Sequence, residues 1–251
     1  MSHLWSYLKA DLRRFYHYRI FPIVTVIAFA MAVAVGFFPG LNSANALYLS
    51  VFILPVIVFS FSLNLEIQAG KDRNTLAPAP KPFTLLGAKV LAATIVQLLP
   101  LAIIMLAMIL VREVRINYLL LTIAYIFGVV GHIIIGLSLS IINRSYRLLP
   151  LSYIVYILVF CALPIFFSNG LVPIRLQYYL IFSPAYLAGI LLDNIIAGTM
   201  YSPLWLIILS VILQIGYPIL LACFVVQPFF KRYLGGLITD DSREVANGER
   251  P

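Results

Sequence analysis

The sequence has little charge. Only 10% of its 251 residues are Asp, Glu, Lys or Arg, whereas a soluble domain carries roughly 25%. Hydrophobic residues make up 63% of the chain, and the mean hydropathy is +1.03. Such a chain cannot cover its apolar surface with its own polar groups, so lipid has to cover it. The composition excludes an ordinary soluble domain and predicts an integral membrane protein.

Cysteines and catalytic motifs are also scarce. The two cysteines, Cys161 and Cys223, fall in separate apolar runs at different predicted depths, so we expect neither a disulfide nor a metal site. The sequence lacks GxxxxGK[ST], HExxH, CxxC and GxSxG. We therefore predict that this chain is not an enzyme and binds no cofactor itself.

Polar side chains inside the apolar runs are few. His132 is the one residue there that titrates near neutral pH, and intramembrane catalysis needs several acids or nucleophiles together. His132 is interpreted either as a contact to a neighbouring helix or as part of a substrate path, since a proton relay needs further titratable groups at its depth. Gln97 and Gln214 carry the same two interpretations, because an amide in lipid needs a hydrogen-bond partner. Small residues around His132 predict a tight helix contact: Gly128, Gly131, Gly136, Ser138 and Ser140.

The apolar runs divide into six segments long enough to span a membrane. A span needs about 20 apolar residues at 1.5 Å of rise each. The first long run is interrupted at Phe38-Pro39-Gly40. The predicted spans are Ile20–Phe38, Ala46–Leu63, Leu85–Val111, Ile116–Ile142, Leu148–Phe167 and Leu204–Val226.

A seventh apolar segment, Leu176–Leu192, is interpreted differently. Pro184 divides it into halves of about eight residues, each near 12 Å long as a helix. Neither half crosses a hydrocarbon core of about 30 Å. We predict a re-entrant outer hairpin, or a pair of short interfacial helices, over residues 176–198. Arg175 and Asp193 are predicted to anchor it at the outer surface.

The distribution of basic residues predicts that both termini are cytoplasmic. With six spans, 14 basic residues lie inside and 3 lie outside, namely Arg112, Arg115 and Arg175. A seventh span would move Lys231, Arg232, Arg243 and Arg250 outside and change the count to 10 against 7. The net charge of +8 therefore reflects membrane topology rather than nucleic-acid binding.

The predicted fold is thus an all-α integral membrane protein with three regions. Residues 1–19 form an amphipathic interfacial helix, with Lys9 and Arg13 off its apolar stripe; a solvated leader is the alternative. Residues 20–230 form the six-helix transmembrane domain, and residues 231–251 form a polar, disordered cytoplasmic tail. The apolar stripe of the leader consists of Leu4, Leu8, Leu12 and Phe15.

The loop over residues 65–84 is the longest predicted cytoplasmic connection. Its first part has mixed charge and can be helical, and prolines at alternate positions then favour an extended chain. Thr84 is predicted to cap the third span, which begins at Leu85. A short charged helix on this side suits the docking of a soluble partner.

The residues of this loop resemble a family motif. Asp72-Arg73-Asn74-Thr75-Leu76, Pro82 and Gly87-Ala88-Lys89 resemble the loop and third-span start of type 2 ABC exporter permeases. The family usually has Gly where this chain has Asn74, and Asn tolerates the positive φ that Gly provides. The predicted layout over about residues 4–230 is also similar. Phe59–Leu63 and Leu180–Pro184 are similar to drug-efflux permeases, including those for fluoroquinolone export.

The resemblance implies partners that the sequence itself lacks. A separate ATP-binding subunit would hold ATP and Mg and dock on the loop. A second permease, either another copy or a related chain, would complete the transporter in the cell membrane. This transporter would export an apolar or amphipathic drug, peptide or lipid by alternating access. The implied docking residues are Glu66, Lys71, Asp72, Arg73, Asn74, Thr75 and Leu76.

Two other classes of function remain open at this stage. One is an immunity or membrane-stress protein of the same fold that carries out no clear transport. The other is an intramembrane enzyme or an unrelated membrane assembly factor. A neighbouring gene for a lone ATP-binding subunit would separate the transporter from this last class.

Overall fold

A computed structural model describes residues 2–37, 43–69, 82–111, 113, 115–143, 148–168, 171, 173, 175, 177–197 and 202–231. Within these ranges the chain forms helices and turns and no strand. Two stretches are π-helical, namely Ile157–Ala162 and Ala222–Val226, and each continues the α-helix before it. The helices are α1 (Ser2–His17), α2 (Ile20–Phe37), α3 (Ser43–Ala69), α4 (Pro82–Leu110), α5 (Tyr118–Ile142), α6 (Leu149–Tyr156), α7 (Leu163–Ser168), α8 (Gln177–Leu180), α9 (Pro184–Ala197) and α10 (Leu204–Leu221).

Five helices among the described residues are long and apolar enough to cross a membrane. They are Ile20–Phe37, Phe83–Leu110, Tyr118–Ile142, Leu149–Phe167 and Leu204–Lys231. The prediction of an all-α, multi-pass membrane protein is confirmed at this level. The helix α3 has 27 residues, of which Ala46–Phe59 form a shorter apolar stretch.

The ends of the predicted docking loop are helical. The helix α3 continues past the predicted end of the second span to Ala69, so Glu66 lies in its last turn. The helix α4 begins at Pro82 rather than at Leu85. Proline suits the first helical position because its φ is already helical and its missing N–H is not needed there. The prediction that Thr84 caps this helix is therefore wrong, since Thr84 lies within its first turn.

The long helices pack around α5. The helix α3 runs parallel to α5, since Ser50 lies beside Tyr125 and Val56 lies beside Gly136 further along both helices. The helix α4 runs antiparallel to α5, with Gln97 beside Tyr125 and Met105 beside Thr122. The helix α2 packs on α4, while α9 and α10 pack on α5, and α9 also packs on α3. Parallel α3 and α5 are consistent with a chain that crosses back through α4 between them.

The leader helix α1 packs against α4 and α2. Its buried face consists of Leu8, Asp11 and Phe15, whereas Leu4 is exposed. Residues Ser2–His17 are helical, and the buried stripe of this helix is shifted relative to the prediction and contains a carboxylate. A tight corner leads from α1 to α2, and Arg19 takes a φ of 57° there.

Between the last two long helices lies a pair of unequal helices. The helix α8 is a single turn, and α9 has 14 residues, which corresponds to about 21 Å. The two predicted halves of about eight residues are therefore replaced by one short turn and one longer helix. At this length α9 is too short for a hydrocarbon core of about 30 Å.

Candidate functional site

Most of the residues expected to dock an ATPase lie outside the described residues. This is the case for Lys71, Asp72, Arg73, Asn74, Thr75 and Leu76. Glu66 is the exception, and it lies in the last turn of α3. The two helices that this connection joins, α3 and α4, are both described, and both contact α1.

A buried ion pair joins the leader to the start of α4. The Lys89 Nζ lies 3.5 Å from the Asp11 Oδ1, and the Arg14 guanidinium lies 3.3 Å from the same oxygen. Asp11 and Lys89 are 2% and 6% exposed, respectively. Sequence reasoning missed this pair. Asp11 lies three residues after Leu8 and four before Phe15, which places it on the same helix face. A carboxylate on that apolar face was the sequence signal for a buried partner.

His132 lies in an aromatic cluster between helices. Its Nδ1 donates to the Gly128 carbonyl oxygen at 2.7 Å, which leaves Nε2 as the acceptor of the neutral ring. Its ring lies 4.3 Å from the Phe52 ring on α3 and 6.2 Å from the Tyr156 ring on α6. The His132 Nε2 and the Tyr156 hydroxyl are both buried and have no partner among the described residues. This geometry favours a contact between helices over a position on an open path.

Gln97 lies beside a second polar cluster at the α3–α4–α5 junction. The Tyr125 hydroxyl donates to the Gln97 backbone oxygen at 3.1 Å and lies 3.3 Å from the Ser50 Oγ. The side-chain amide of Gln97 is buried, and in the described part of the chain neither of its polar atoms has a partner. Gln97 and His132 are therefore both interior, but no hydrogen bond joins them.

Glycines bring α5 close to its neighbours, as predicted. A Cβ at Gly136 would lie 3.0 Å from the Val56 Cα and carbonyl oxygen, so the two backbones are in contact. A Cβ at Gly128 would lie 2.9 Å from the Val51 side chain, and one at Gly131 would lie 3.3 Å from Pro218 of α10. Small residues thus hold α5 against two different helices.

The π-helical stretch after Tyr156 exposes carbonyls that other elements bind. Pro164 has no N–H to donate to the Phe160 carbonyl, four residues earlier. The Ser183 Oγ donates to that carbonyl at 2.7 Å and accepts the Tyr186 N–H at 3.1 Å, so it also caps α9. The Tyr48 hydroxyl donates to the neighbouring Cys161 carbonyl at 3.1 Å. These bonds tie the start of α9 to the interior of the bundle.

Gln214 also holds the start of α9, since its Nε2 donates to the Pro184 oxygen at 2.6 Å. Phe160 is eight residues from the end of α7 at Ser168, and Gln214 is ten residues from the start of α10 at Leu204. At 1.5 Å per residue these separations are about 12 and 15 Å. The α8–α9 turn therefore lies about 12 Å from the end of α7 and about 15 Å from the start of α10, measured along those helices.

Asp193 lies on α9, one turn before its end at Ala197. Its carboxyl group is partly screened from water by the surrounding helices, and this partial burial raises the pKa of Asp193 to about 6. The predicted role of Asp193 as an anchor of the hairpin stays a prediction.

A large cleft of about 1220 Å³ lies between α5, α9 and α10. Its walls are apolar, and Gln214 lies at its floor. Its rim carries polar residues from the connection between α4 and α5, namely Glu113, Arg115 and Asn117. Sequence reasoning did not predict this cleft, because it depends on how far apart the helices are held.

Comparisons with known proteins give no relative: no family model, no curated protein and no solved structure matches this chain. Among the described residues, no group of three or more His, Cys, Asp or Glu side chains is placed to hold a metal ion. The site's own chemistry therefore consists of buried hydrogen bonds, an ion pair and an apolar cleft.

Proposed function

We propose that this chain is the membrane permease subunit of an ATP-driven exporter whose ATP-binding subunit is a separate protein. The observation that carries this proposal is the position of α1. Phe15 of α1 lies 5.2 Å from Phe59 of α3, ring to ring, and Asp11 bonds Lys89 of α4. The leader thus connects the two helices that residues 70–81 join, where the sequence resembles a docking loop. A partner bound to this loop would act on α3, α4 and α1 together.

The proposed topology has six spans, cytoplasmic termini and a re-entrant hairpin. The count of 14 basic residues against 3 supports this orientation. The length of α9 and the depth of the α8–α9 turn support a hairpin that enters the membrane and returns. The expected result is that cysteines at Ser43 and Asn169 react with an impermeant reagent from outside and that one at Ala246 does not. Labelling of position 246 from outside would contradict this topology.

The docking loop provides the direct test of function. Asp72→Lys combined with Arg73→Glu keeps the net charge, yet it places the wrong charge against a complementary groove. We expect the variant to insert normally, to lose co-purification of the ATP-binding subunit and to lose substrate-stimulated ATP hydrolysis in proteoliposomes. The matched control is Asp241→Lys with Arg243→Glu in the tail, which should leave both unchanged. Full association and activity of the loop variant would rule out this loop as the coupling element.

The transported molecule would pass between two permeases rather than through one. His132 and Gln97 support this division, because both are buried among the helices of a single chain. We propose that they contribute to helix packing, while the substrate contacts the surface where two permeases meet. The substrate class stays broad: an apolar or amphipathic molecule leaving the cytoplasm.

A further inference from the structure

We propose that the cleft between α5, α9 and α10 is a binding site for one zwitterionic phospholipid of the adjacent membrane leaflet. The cleft is distinct from the docking loop, and the proposal does not depend on ATP-driven transport. It rests on the shape of the cleft, its depth and the charges at its rim.

The walls of the cleft suit a hydrocarbon chain. They are formed by Leu120, Ile123 and Phe127 of α5, Ile195 of α9, and Ile207 and Val211 of α10. The amide of Gln214 at the floor uses its Nε2 to bind the Pro184 oxygen. The volume of about 1220 Å³ exceeds the roughly 300–1,000 Å³ of small-molecule pockets. A long, flexible, apolar occupant fits this space better than a compact one.

The depth of the cleft matches half a bilayer. From Asn117 at the rim to Phe127 there are ten residues, or about 15 Å along α5. From Leu204 to Gln214 the distance along α10 is also about 15 Å. The hydrocarbon core of a bilayer is about 30 Å thick, so each leaflet provides about 15 Å. An occupant with its polar end at the rim would therefore end near the membrane midplane.

The charges at the rim favour a headgroup with both signs. Glu113 and Arg115 are exposed and lie two residues apart, which corresponds to at most about 7 Å of chain. Neither forms an ion pair with another residue that the structure describes. A zwitterionic headgroup carries a phosphate, which suits the Arg115 guanidinium, and an ammonium, which suits the Glu113 carboxylate. A second protein chain over the cleft would have to bury both charges, which is costly.

Tryptophan quenching by brominated lipids tests this site on the full-length protein. The reporter is Phe127→Trp in a background with Trp5→Phe and Trp205→Phe, reconstituted in bilayers. Ile123→Trp is a second reporter in case the first does not fold. The control reporter is Phe29→Trp on α2, because Phe29 is also exposed and lies outside the cleft. Brominated phosphatidylethanolamine, phosphatidylglycerol and diacylglycerol are then compared as quenchers.

At the cleft reporter we expect phosphatidylethanolamine to bind about threefold to tenfold more strongly than the other two lipids, the range that one or two partly exposed ion pairs provide. Glu113→Gln should shift the preference to phosphatidylglycerol, since Arg115 then acts alone. Arg115→Gln should abolish the preference for phosphatidylethanolamine. The Phe29→Trp control should show no headgroup preference.

Three outcomes would overturn the proposal. Equal binding constants for all three lipids at the cleft reporter would mean that the rim does not distinguish between headgroups. The same preference at Phe29→Trp would mean that it belongs to the bilayer and not to the cleft. Absence of quenching by any lipid would mean that protein, such as a second copy, fills the cleft.

Discussion

The two halves of α5 lie in contrasting surroundings. In the half that ends at Ile142, residues Gly131 to Ser138 are all buried, and Gly136 contacts Val56. Lys89, the ion-pair partner of Asp11, lines a small pocket with Ile133 and Leu137 of this half. We call this half the closed end. In the half that begins at Tyr118, one face is buried, while Leu120, Ile123 and Phe127 are exposed in the cleft. We call this half the open end.

The size of the side chains explains the difference. At the closed end glycines let the α3 and α5 backbones touch, so no space remains for an occupant. At the open end large, exposed apolar side chains of α5 and α10 line the cleft, and α9 closes only part of it. The same helix is thus a packing core at one end and a wall of a binding cleft at the other.

The largest expected effect is the loss of the buried carboxylate at the closed end. Asp11→Leu removes a charged partner of the buried Lys89, and breaking such a pair costs about 3 kcal/mol or more of unfolding free energy. Glu113→Leu, an exposed carboxylate at the open end, should cost under about 0.5 kcal/mol. Denaturant titration in mixed micelles measures both.

A second variant tests the cause. Asp11→Leu combined with Lys89→Met removes both charges and should be less damaging than Asp11→Leu alone, because the buried lysine is removed together with its carboxylate. A double variant that unfolds as easily as the single one would contradict the ion pair.

The next effect compares two glycines. Gly136→Ala places a Cβ 3.0 Å from the Val56 backbone and should lower the unfolding free energy by about 1–3 kcal/mol. Gly216→Ala on α10 meets no atom within 4 Å and should raise it by up to about 1 kcal/mol through helix propensity. Thermal unfolding of both purified variants checks the opposite signs. Equal shifts would mean that α3 and α5 do not touch.

Ser183 connects the start of α9 to the π-helical stretch that follows α6, and its loss should have an intermediate effect. Ser183→Ala removes the cap of α9 and the donor to the Phe160 carbonyl, which should cost about 1–2 kcal/mol. Ser152→Ala is the control, because within the described part of the chain the Ser152 Oγ donates to the Leu148 carbonyl, one turn earlier, and to no other element. Identical stability of the two variants would contradict the role of Ser183 as a tie.

The sequence predicted the helix packing at the closed end better than the cleft at the open end. The glycines around His132 predicted a tight contact because backbone approach depends on local residue size. Asp11 was missed because the leader was interpreted as facing lipid, where a carboxylate on the apolar face has no partner. No local pattern linked Ser183 to the carbonyl that Pro164 leaves free, since Pro164 and Ser183 are 19 residues apart in the sequence. The cleft depends on the distance between helices, which no local pattern encodes.

The smallest expected effect is at His132, within the closed end. His132→Phe keeps an aromatic ring against Phe52, loses the Nδ1 bond to the Gly128 carbonyl, and removes the Nε2 that has no partner among the described residues. Losing that desolvated atom offsets the slight increase in size, so the unfolding free energy should change by less than about 1 kcal/mol. His132→Ala is the control and should cost about 2–4 kcal/mol, because it leaves a cavity. Denaturant titration measures the stability of both variants. A His132→Phe variant that is stable but loses substrate-stimulated ATP hydrolysis would contradict a packing role and favour a substrate path through His132.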